Sequence, residues 1–187
     1  MRTGHPGDRF LTRSPTNTGN KQMHIMDETI KFLEDSKDLI SDKDRWCKDN
    51  FAEFLSYDQS TKVSTYTNDN KACSWCATGA MIKTFATHYN DKYSKIKNNA
   101  DIGDAGFAMQ VIDEDLVFAS AMTFLASVID NSCFFTAYEK VYRFNDHEKT
   151  THDDVIRAFN NAISELKKRK NSLDDKRKNA LKFKIEG

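Results

Sequence analysis

Hydrophobic positions along this chain recur mainly at the spacing of an α-helix. The clearest apolar stripe begins inside Cys73-Ser74-Trp75-Cys76 and follows the i, i+4, i+7, i+11, i+14 pattern of one helix face. Its members are Trp75, Gly79, Ile82, Ala86 and Tyr89. Ser74 is the expected N-cap of this helix. Because glycine costs a helix about 1 kcal/mol relative to alanine, Gly79 predicts the close approach of another backbone or of a ligand.

The same spacing predicts helices in five other segments. They are 27–41, a short helix through 46–55, 116–129, 134–144 and a helix that begins after Thr151. Residues 116–129 carry apolar side chains on nearly every side, so this helix is expected to be the most buried. Thr151 is the expected N-cap of the last helix, with acidic residues in its first turn.

Three polar segments separate these helices. Residues 57–70 have Val63 and Tyr66 as their only strong apolar anchors and predict a loop or a short hairpin. Residues 90–106 and 145–150 are expected to be a polar connection and an exposed loop. Both prolines lie in the first fifteen residues and glycine is sparse. The pattern therefore predicts a mainly α fold, a single compact helical domain of five or six helices with room for one short strand pair.

Composition divides the chain into three parts. Residues 1–22 are rich in Gly, Pro, Thr, Asn and Arg, which is typical of a disordered leader or a non-native extension ahead of a start at Met23 or Met26. Residues 23–166 form the helical domain. Residues 167–187 form a basic C-terminal extension, with nine Lys or Arg residues between Lys167 and Lys184.

Charge and hydropathy exclude several classes of protein. Lys plus Arg and Asp plus Glu both total 28, so no net charge draws the chain to nucleic acid or to a membrane surface. No run of eighteen apolar residues predicts a membrane span, and no apolar segment near the N-terminus predicts a secretory signal. A cytoplasmic protein with reduced cysteines is expected.

The cysteine pair Cys73-x-x-Cys76 supplies half of a tetrahedral zinc site. The remaining ligands would come from Cys47, Cys133, His88 or His147. A second close pair and the preceding strand of a redox motif are both missing. Packing cysteines are therefore favoured over zinc and over redox chemistry, no cofactor is expected, and the role of Cys73 is left open.

Two other clusters carry candidate chemistry. His147 and His152, with Asp146 beside them, could ligate a metal or catalyse hydrolysis, but helix and turn formation explain them equally well. The basic extension could contact nucleic-acid phosphates. Asp174 and Asp175 interrupt it and no aromatic platform lies beside it, so a solvated helix end is favoured.

Several short motifs occur in an order that resembles a known family. They are Arg45-Trp46, Trp75-Cys76-x-x-Gly79-Ala80, Phe144-Asn145-Asp146, Thr150-Thr151, Asp154-Val155 and Ala162-Ile163. This order, over about residues 26–166, is similar to a domain of unknown function found in small, uncharacterised proteins of actinobacteria and phages. The family pattern reads roughly Trp-Cys-x-x-Gly-Ala and later Trp-Asn-Asp, Thr and Ala-Ile, so Phe144 stands where the family usually has Trp.

The resemblance implies a shared fold and a shared site that joins two distant segments. The site residues it implies are Trp75, Cys76, Gly79, Asn145 and Asp146. It implies no activity, because none is assigned to the family.

The sequence therefore favours a non-enzymatic binding or interaction module over an enzyme. Such a module would be phage-encoded and would act on a host protein or a small ligand. One alternative is a small hydrolase or metal-dependent enzyme that uses Asp146, His147 and His152, with Cys76 as a further candidate. The other is a nucleic-acid-binding protein that acts through the basic extension.

Overall fold

The computed structural model describes residues 15–99, 103–129 and 135–185. These residues hold seven α-helices, one short 3-10 helix and three β-strands. The helices are α1 (Pro15–Leu39), α2 (Ala77–His88), α3 (Asn90–Asn99), α4 (Asp104–Glu114), α5 (Leu116–Ile129), α6 (Ala137–Asp146) and α7 (His152–Ile185). The 3-10 helix is Lys43–Arg45, and the strands are β1 (Ala52–Leu55), β2 (Lys62–Thr65) and β3 (Ser74–Trp75).

The strands form a small antiparallel sheet in the order β2-β1-β3. Strands β1 and β2 make a hairpin in which Phe54 pairs with Val63 and Ala52 with Thr65. On the other side of β1, Ala52 pairs with Trp75. Strand β2 is thus an edge strand, whereas β3 leads directly into α2.

The hydrophobic core lies between α1, α2, α5 and α7, with α4 and α6 packed around it. Phe32 of α1, Phe85 of α2 and Phe118 of α5 meet edge to face at its centre, with ring centroids 5.7–5.8 Å apart. Phe107 of α4 joins them through a 6.1 Å contact with Phe85. The predicted mainly helical architecture is confirmed, and interlocking phenylalanine rings explain much of its packing.

Helix α2 is the most buried of the long core helices, contrary to the expectation for residues 116–129. Nine of the twelve residues of α2 are buried, against six of the fourteen residues of α5. The small residues of α2 explain this difference, because Ala77, Gly79 and Ala80 let neighbouring chain segments approach closely. Helix α5 has the predicted bounds but leaves Leu116 exposed at one end.

Two segments were predicted with the wrong secondary structure. Residues 46–55 form a β-bridge at Trp46, a bend with a positive φ at Asp49 and strand β1 instead of a short helix, because β1 pairs with both β2 and β3. Residues 90–106 contain α3 and the start of α4 instead of a polar connection. Tyr93, Ile96 and Phe107 give these two helices buried anchors. The described residues therefore hold seven α-helices where five or six were expected.

Helices α1 and α7 extend side by side beyond the core. Lys170 of α7 pairs with Asp27 of α1, Lys167 pairs with Glu34, and Arg177 donates a hydrogen bond to Asn20. Helix α1 begins at Pro15, inside the stretch 1–22 assigned to a leader, because the basic extension continues as helix and gives these first turns a partner. Residues 1–14 lie outside the described residues.

No helix in the described part of the chain is long and apolar enough to cross a membrane.

Candidate functional site

Asn145, in the last turn of α6, joins three separate parts of the fold. Its Oδ1 accepts hydrogen bonds from Trp46 Nε1 at 2.9 Å and from the backbone N–H of Ala77 at 3.1 Å. Its Nδ2 donates to the carbonyl of Cys47 at 3.2 Å and to Asp146 Oδ1 at 2.8 Å. A side-chain amide has two donor hydrogens and two acceptor lone pairs. The fully buried Asn145 therefore uses its whole hydrogen-bonding capacity inside the protein.

Cys76 is the N-cap of α2. Its Sγ accepts a hydrogen bond from the backbone N–H of Gly79 at 3.2 Å, the contact that a serine or aspartate oxygen usually makes at this position. The expected N-cap, Ser74, lies two residues earlier because Ser74 and Trp75 pair with β1 as strand β3. The Ser74 hydroxyl instead donates to Glu53 Oε2.

Gly79 permits the β1 backbone to cross the first turn of α2. A Cβ atom placed on Gly79 would lie 1.8 Å from the carbonyl oxygen of Phe51. That same carbonyl accepts a hydrogen bond from the backbone N–H of Cys76 at 3.1 Å. The close approach expected at Gly79 is thus made by another part of the chain.

The two tryptophans brace the same region from either side. Trp75 is buried and its Nε1 donates to the carbonyl of Thr67 at 2.9 Å, while the guanidinium of Arg45 lies over its ring. Trp46 packs against the ring of His152 with centroids 5.7 Å apart. Trp46, Trp75, Cys76, Ala77 and Asn145 form one contact region, which we call the junction. Trp46 belongs to it, and Arg45 contacts it through the ring of Trp75.

Most backbone N–H groups at the N-terminus of α2 are bound by protein groups. The N–H of Ala77 is bound by Asn145, that of Gly79 by Cys76 Sγ and that of Ala80 by the Cys76 carbonyl. A helix start binds an anion through its free N–H groups. Here three of the first four donate within the protein.

The buried cysteines near the junction are held as thiols. Burial raises the pKa of the Cys76 thiol to about 12, and burial likewise raises the pKa of Cys47. Since the thiolate is the nucleophile, neither sulfur is activated at neutral pH. Cys47, Cys73 and Cys76 are all free, and Cys133 lies outside the described residues.

His147 and His152 belong to separate hydrogen-bond networks. His147 follows the end of α6, and its Nδ1 accepts from the backbone N–H of Lys149. His152 is buried at the start of α7, with Nε2 2.7 Å from the carbonyl of Ile40. Among the described residues, no group of three or more His, Cys, Asp or Glu side chains is placed to hold a metal ion.

Asp146 is a predicted site residue with a buried polar atom that has no hydrogen-bond partner among the described residues. Its Oδ1 accepts from Asn145 Nδ2 and from the backbone N–H of Asp49 at 3.0 Å. Its Oδ2 is buried and has no hydrogen-bond partner. Asn145 and Asp146 belong to α6 and not to the exposed loop expected at 145–150, because Asn145 is drawn into the core by its four hydrogen bonds.

The β1–β2 hairpin carries the largest group of exposed apolar side chains near this junction. They are Leu55, Tyr57, Val63 and Tyr66, and Tyr57 is fully exposed. The hairpin tip is nevertheless ordered: the backbone N–H of Ser56 donates to the Thr61 carbonyl at 2.8 Å. Asp58 Oδ1 accepts from the Ser56 hydroxyl and from the backbone N–H of Ser60.

A cleft of about 520 Å³ lies where β2 meets the start of β1 and the start of α4. Ser64, Thr65 and Tyr66 line one side of it. Asp49, Asp69 and Asp104 also line it, and the buried Asp104 carboxylate accepts hydrogen bonds from the backbone N–H and the hydroxyl of Thr67. Hydrogen bonds from the backbone N–H of Lys71 and from Thr65 lower the pKa of Asp69, so this carboxylate is ionised at neutral pH. The cleft therefore has negative charge in its wall.

The basic extension forms the second half of α7, and several of its charges are used inside the protein. Lys167 and Lys170 pair with acids of α1, and Arg169 pairs with Glu165. Lys168 and Lys178 are exposed.

Sequence reasoning missed the backbone groups that complete the junction. The carbonyls of Cys47 and Phe51 hold Asn145 and Cys76, but a backbone carbonyl leaves no mark on residue identity. The lone helical glycine was the only available signal, since it indicated a close neighbour without identifying it.

A family model matches most of the chain. The model of a family of unknown function (DUF6197) matches residues 25–165, about three quarters of the chain. No curated protein and no solved structure matches the chain. The match includes the Trp75-Cys76 segment, Gly79 and the Asn145-Asp146 pair, and it confirms the resemblance inferred from those motifs. The chain therefore belongs to DUF6197, a family of unknown function.

Proposed function

We propose that this protein is a non-enzymatic protein-binding module and that its binding surface is the β1–β2 hairpin with the adjoining cleft. The occupant is an extended segment of a partner protein that adds to the free edge of β2 and places a basic side chain in the cleft. The observation that carries this proposal is an ordered hairpin with a fully exposed tyrosine next to an acid-lined cleft.

The composition of the hairpin supports protein recognition. Serine, threonine and tyrosine predominate from residue 56 to 67, and these residues are also common in antibody binding loops. Tyrosine gives a large contact area at a small cost in conformational entropy. The hydrogen bonds of Asp58 keep the tip ordered before any partner arrives, which lowers the entropy that binding must remove.

The edge of β2 supports an extended partner. The pairings of Ala52 with Thr65 and of Phe54 with Val63 direct the backbone groups of Thr65 and Val63 towards β1. The backbone N–H and C=O of Ser64 then point away from β1, towards the free edge. An exposed edge of this kind can accept an added strand.

The junction supports this function indirectly. Asn145, Cys76 and Gly79 fix the segment from Trp46 to Phe51 against α2 and α6. This segment leads into β1, so the junction sets the direction in which the hairpin projects. The motif residues thus act as positioning residues and the hairpin makes the contacts.

A random peptide library tests the proposal with a matched pair of variants. The intact chain should enrich extended peptides that carry a Lys or Arg residue. Ser64→Pro should abolish this enrichment, since proline removes the edge N–H that an added strand needs, and an edge strand tolerates proline at such a position. Ser64→Ala keeps the N–H and should enrich the same peptides.

Circular dichroism of both variants should match that of the unchanged chain. The proposal is wrong if no shared peptide pattern emerges, or if the same pattern persists with Ser64→Pro.

A further inference from the structure

Two buried polar atoms near the junction have no partner inside the protein. Asp146 Oδ2 is one of them, although Oδ1 of the same carboxylate accepts two hydrogen bonds. The hydroxyl of Thr78 is the other, and Thr78 is fully buried. Buried polar atoms are almost always hydrogen-bonded, so each exception calls for an explanation.

The two atoms belong to elements that meet at the junction. Thr78 follows Ala77, whose backbone N–H is bound by Asn145, and Asp146 is the next residue after Asn145. Cys76 lies close enough to Asp146 for that carboxylate to contribute to the raised pKa of the thiol, after the larger effect of burial. The start of α2 and the end of α6 therefore bring both unused atoms to one region.

Aromatic rings continue this region along α6. Tyr138, Tyr142 and Asp146 follow the i, i+4, i+8 spacing of one helix face. The rings of Tyr138 and Tyr142 are nearly parallel, with an interplanar angle of 6° and centroids 6.3 Å apart. Burial raises the pKa of Tyr138 to about 12, with smaller contributions from Cys76, Tyr142 and Asp146. Tyr138 therefore keeps its hydroxyl proton at neutral pH, and it lies on the same face of α6 as Asp146.

The chemistry of these groups selects one kind of ligand. The N–H groups of Ala77, Gly79 and Ala80 at the start of α2 are already bound within the protein, and the Asp146 carboxylate disfavours an anion beside it. A calcium or magnesium ion takes about six oxygen ligands, whereas this region offers one unused carboxylate oxygen. An ammonium group can donate to that oxygen and to the Thr78 hydroxyl, and it is also attracted to the face of a tyrosine ring.

The protein does not supply this cation from the nearest loop. Lys48 lies beside Asp49, which donates its backbone N–H to Asp146. The ammonium group of Lys48 nevertheless donates to the carbonyl of His147 at 2.7 Å. We propose that Asp146, Thr78 and Tyr138 form a binding site for an organic ammonium group, separate from the hairpin surface.

Nuclear magnetic resonance of the full chain tests this site with n-butylammonium chloride. The amine should shift the backbone resonances of Thr78 and Asp146 and reach saturation. Sodium chloride at the same ionic strength and n-butanol at the same concentration should not, since they lack the ammonium group. A blocked lysine amide serves as a second probe. Tighter binding of that probe would assign the ligand as a protein side chain, and equal or weaker binding would assign it as a small amine.

Asp146→Asn should weaken amine binding at least about tenfold, because a charge-assisted hydrogen bond is lost. Asp153→Asn is the matched control: it removes the same charge from a side chain that is 95% exposed, and it should bind as the unchanged chain does. Thr78→Val has nearly the same shape and should also weaken binding while the circular dichroism spectrum is retained.

The assignment is overturned if sodium chloride reproduces the shifts, if the amine produces no saturable shift, or if Asp146→Asn binds the amine with unchanged affinity. In each case Asp146 Oδ2 and the Thr78 hydroxyl either hydrogen-bond to water or have no hydrogen-bond partner. Because Ser64→Pro does not alter this site, a negative result here leaves the hairpin proposal standing, and the reverse also holds.

Discussion

Gly79 and Asn145 act at the scale of single residues through opposite properties. Gly79 contributes the absence of a side chain, which leaves room for the Phe51 carbonyl against α2. Asn145 contributes four hydrogen bonds from one small, fully buried side chain. Buried polar groups that lose their partners are costly, so both positions are tied to one residue type.

Replacing Gly79 with alanine should unfold or strongly destabilise the protein. The added Cβ would meet a backbone oxygen at 1.8 Å, and this oxygen is itself held by the Cys76 N–H. Overpacking of this kind costs about 3 kcal/mol or more when backbone has to move. Chemical denaturation of the two proteins measures the difference.

Gly103→Ala is the matched control, because no atom lies within 4 Å of a Cβ at Gly103 and its φ is −67°. Its free energy of unfolding should fall by less than about 1 kcal/mol, because Gly103 is the N-cap of α4, a position where glycine is preferred to alanine. Equal stability of both variants would contradict the proposed role of Gly79.

The proximity of the start of α2 to Asn145 and Asp146 is the part of the site that could be inferred from the sequence. The family resemblance implied a site that joins Trp75, Cys76 and Gly79 to Asn145 and Asp146. The hydrogen bond from the Ala77 N–H to Asn145 Oδ1 brings these two segments together. The ligand-binding role of these residues stays a prediction. The hydrogen-bond directions could not be foreseen, because most partners are backbone groups from segments about 70 to 100 residues away.

At the scale of elements, the β1–β2 hairpin depends on side-chain caps more than on burial. Strand β2 is exposed over most of its length, and the tip is held by Asp58, Ser56 and Ser60. These hydrogen bonds lower the pKa of Asp58 from 3.8 to about 2. Since the folded tip favours the ionised carboxylate, its order is fully present above pH 3.8 and is lost as the pH falls through about 2.

Acid titration should therefore loosen the hairpin tip before the core. Amide exchange and nuclear Overhauser contacts between Ser56 and Thr61 should weaken as the pH falls towards about 2, while those of α5 persist. Asp58→Asn cannot titrate, so its tip should show no such pH dependence. A tip that keeps its contacts at the lowest pH would show that Asp58 does not hold it.

At the scale of the whole molecule, the first half of α1 and the second half of α7 form a two-helix extension that reaches beyond the family-matched region 25–165. Its contacts are mostly exposed ion pairs and hydrogen bonds. Exposed pairs contribute about 0–1 kcal/mol each. The extension should therefore be the first part of the helical body to open.

Charge reversal in the full chain tests this arrangement. Lys170→Glu with Arg177→Glu replaces attraction by repulsion opposite Asp27, so the first turns of α1 should lose amide protection. Lys168→Glu with Lys178→Glu changes the net charge equally at exposed positions and should leave that protection intact. Hydrogen exchange compares the two, and equal loss of protection would refute the pairing of the helices.

The sequence by itself determined the helical class, the bounds of α5, the start of α7 and the family, because each depends on local spacing or on short motifs. Only the tertiary structure decided that residues 46–55 form a bend and strand β1 instead of a helix, since the pairing partners of β1 are β2 and the two-residue strand β3. The tertiary structure also decided which residues hold the start of α2. Cys76 caps it, Gly79 admits the Phe51 carbonyl and Asn145 closes it, and these contacts depend on where distant segments of the chain meet.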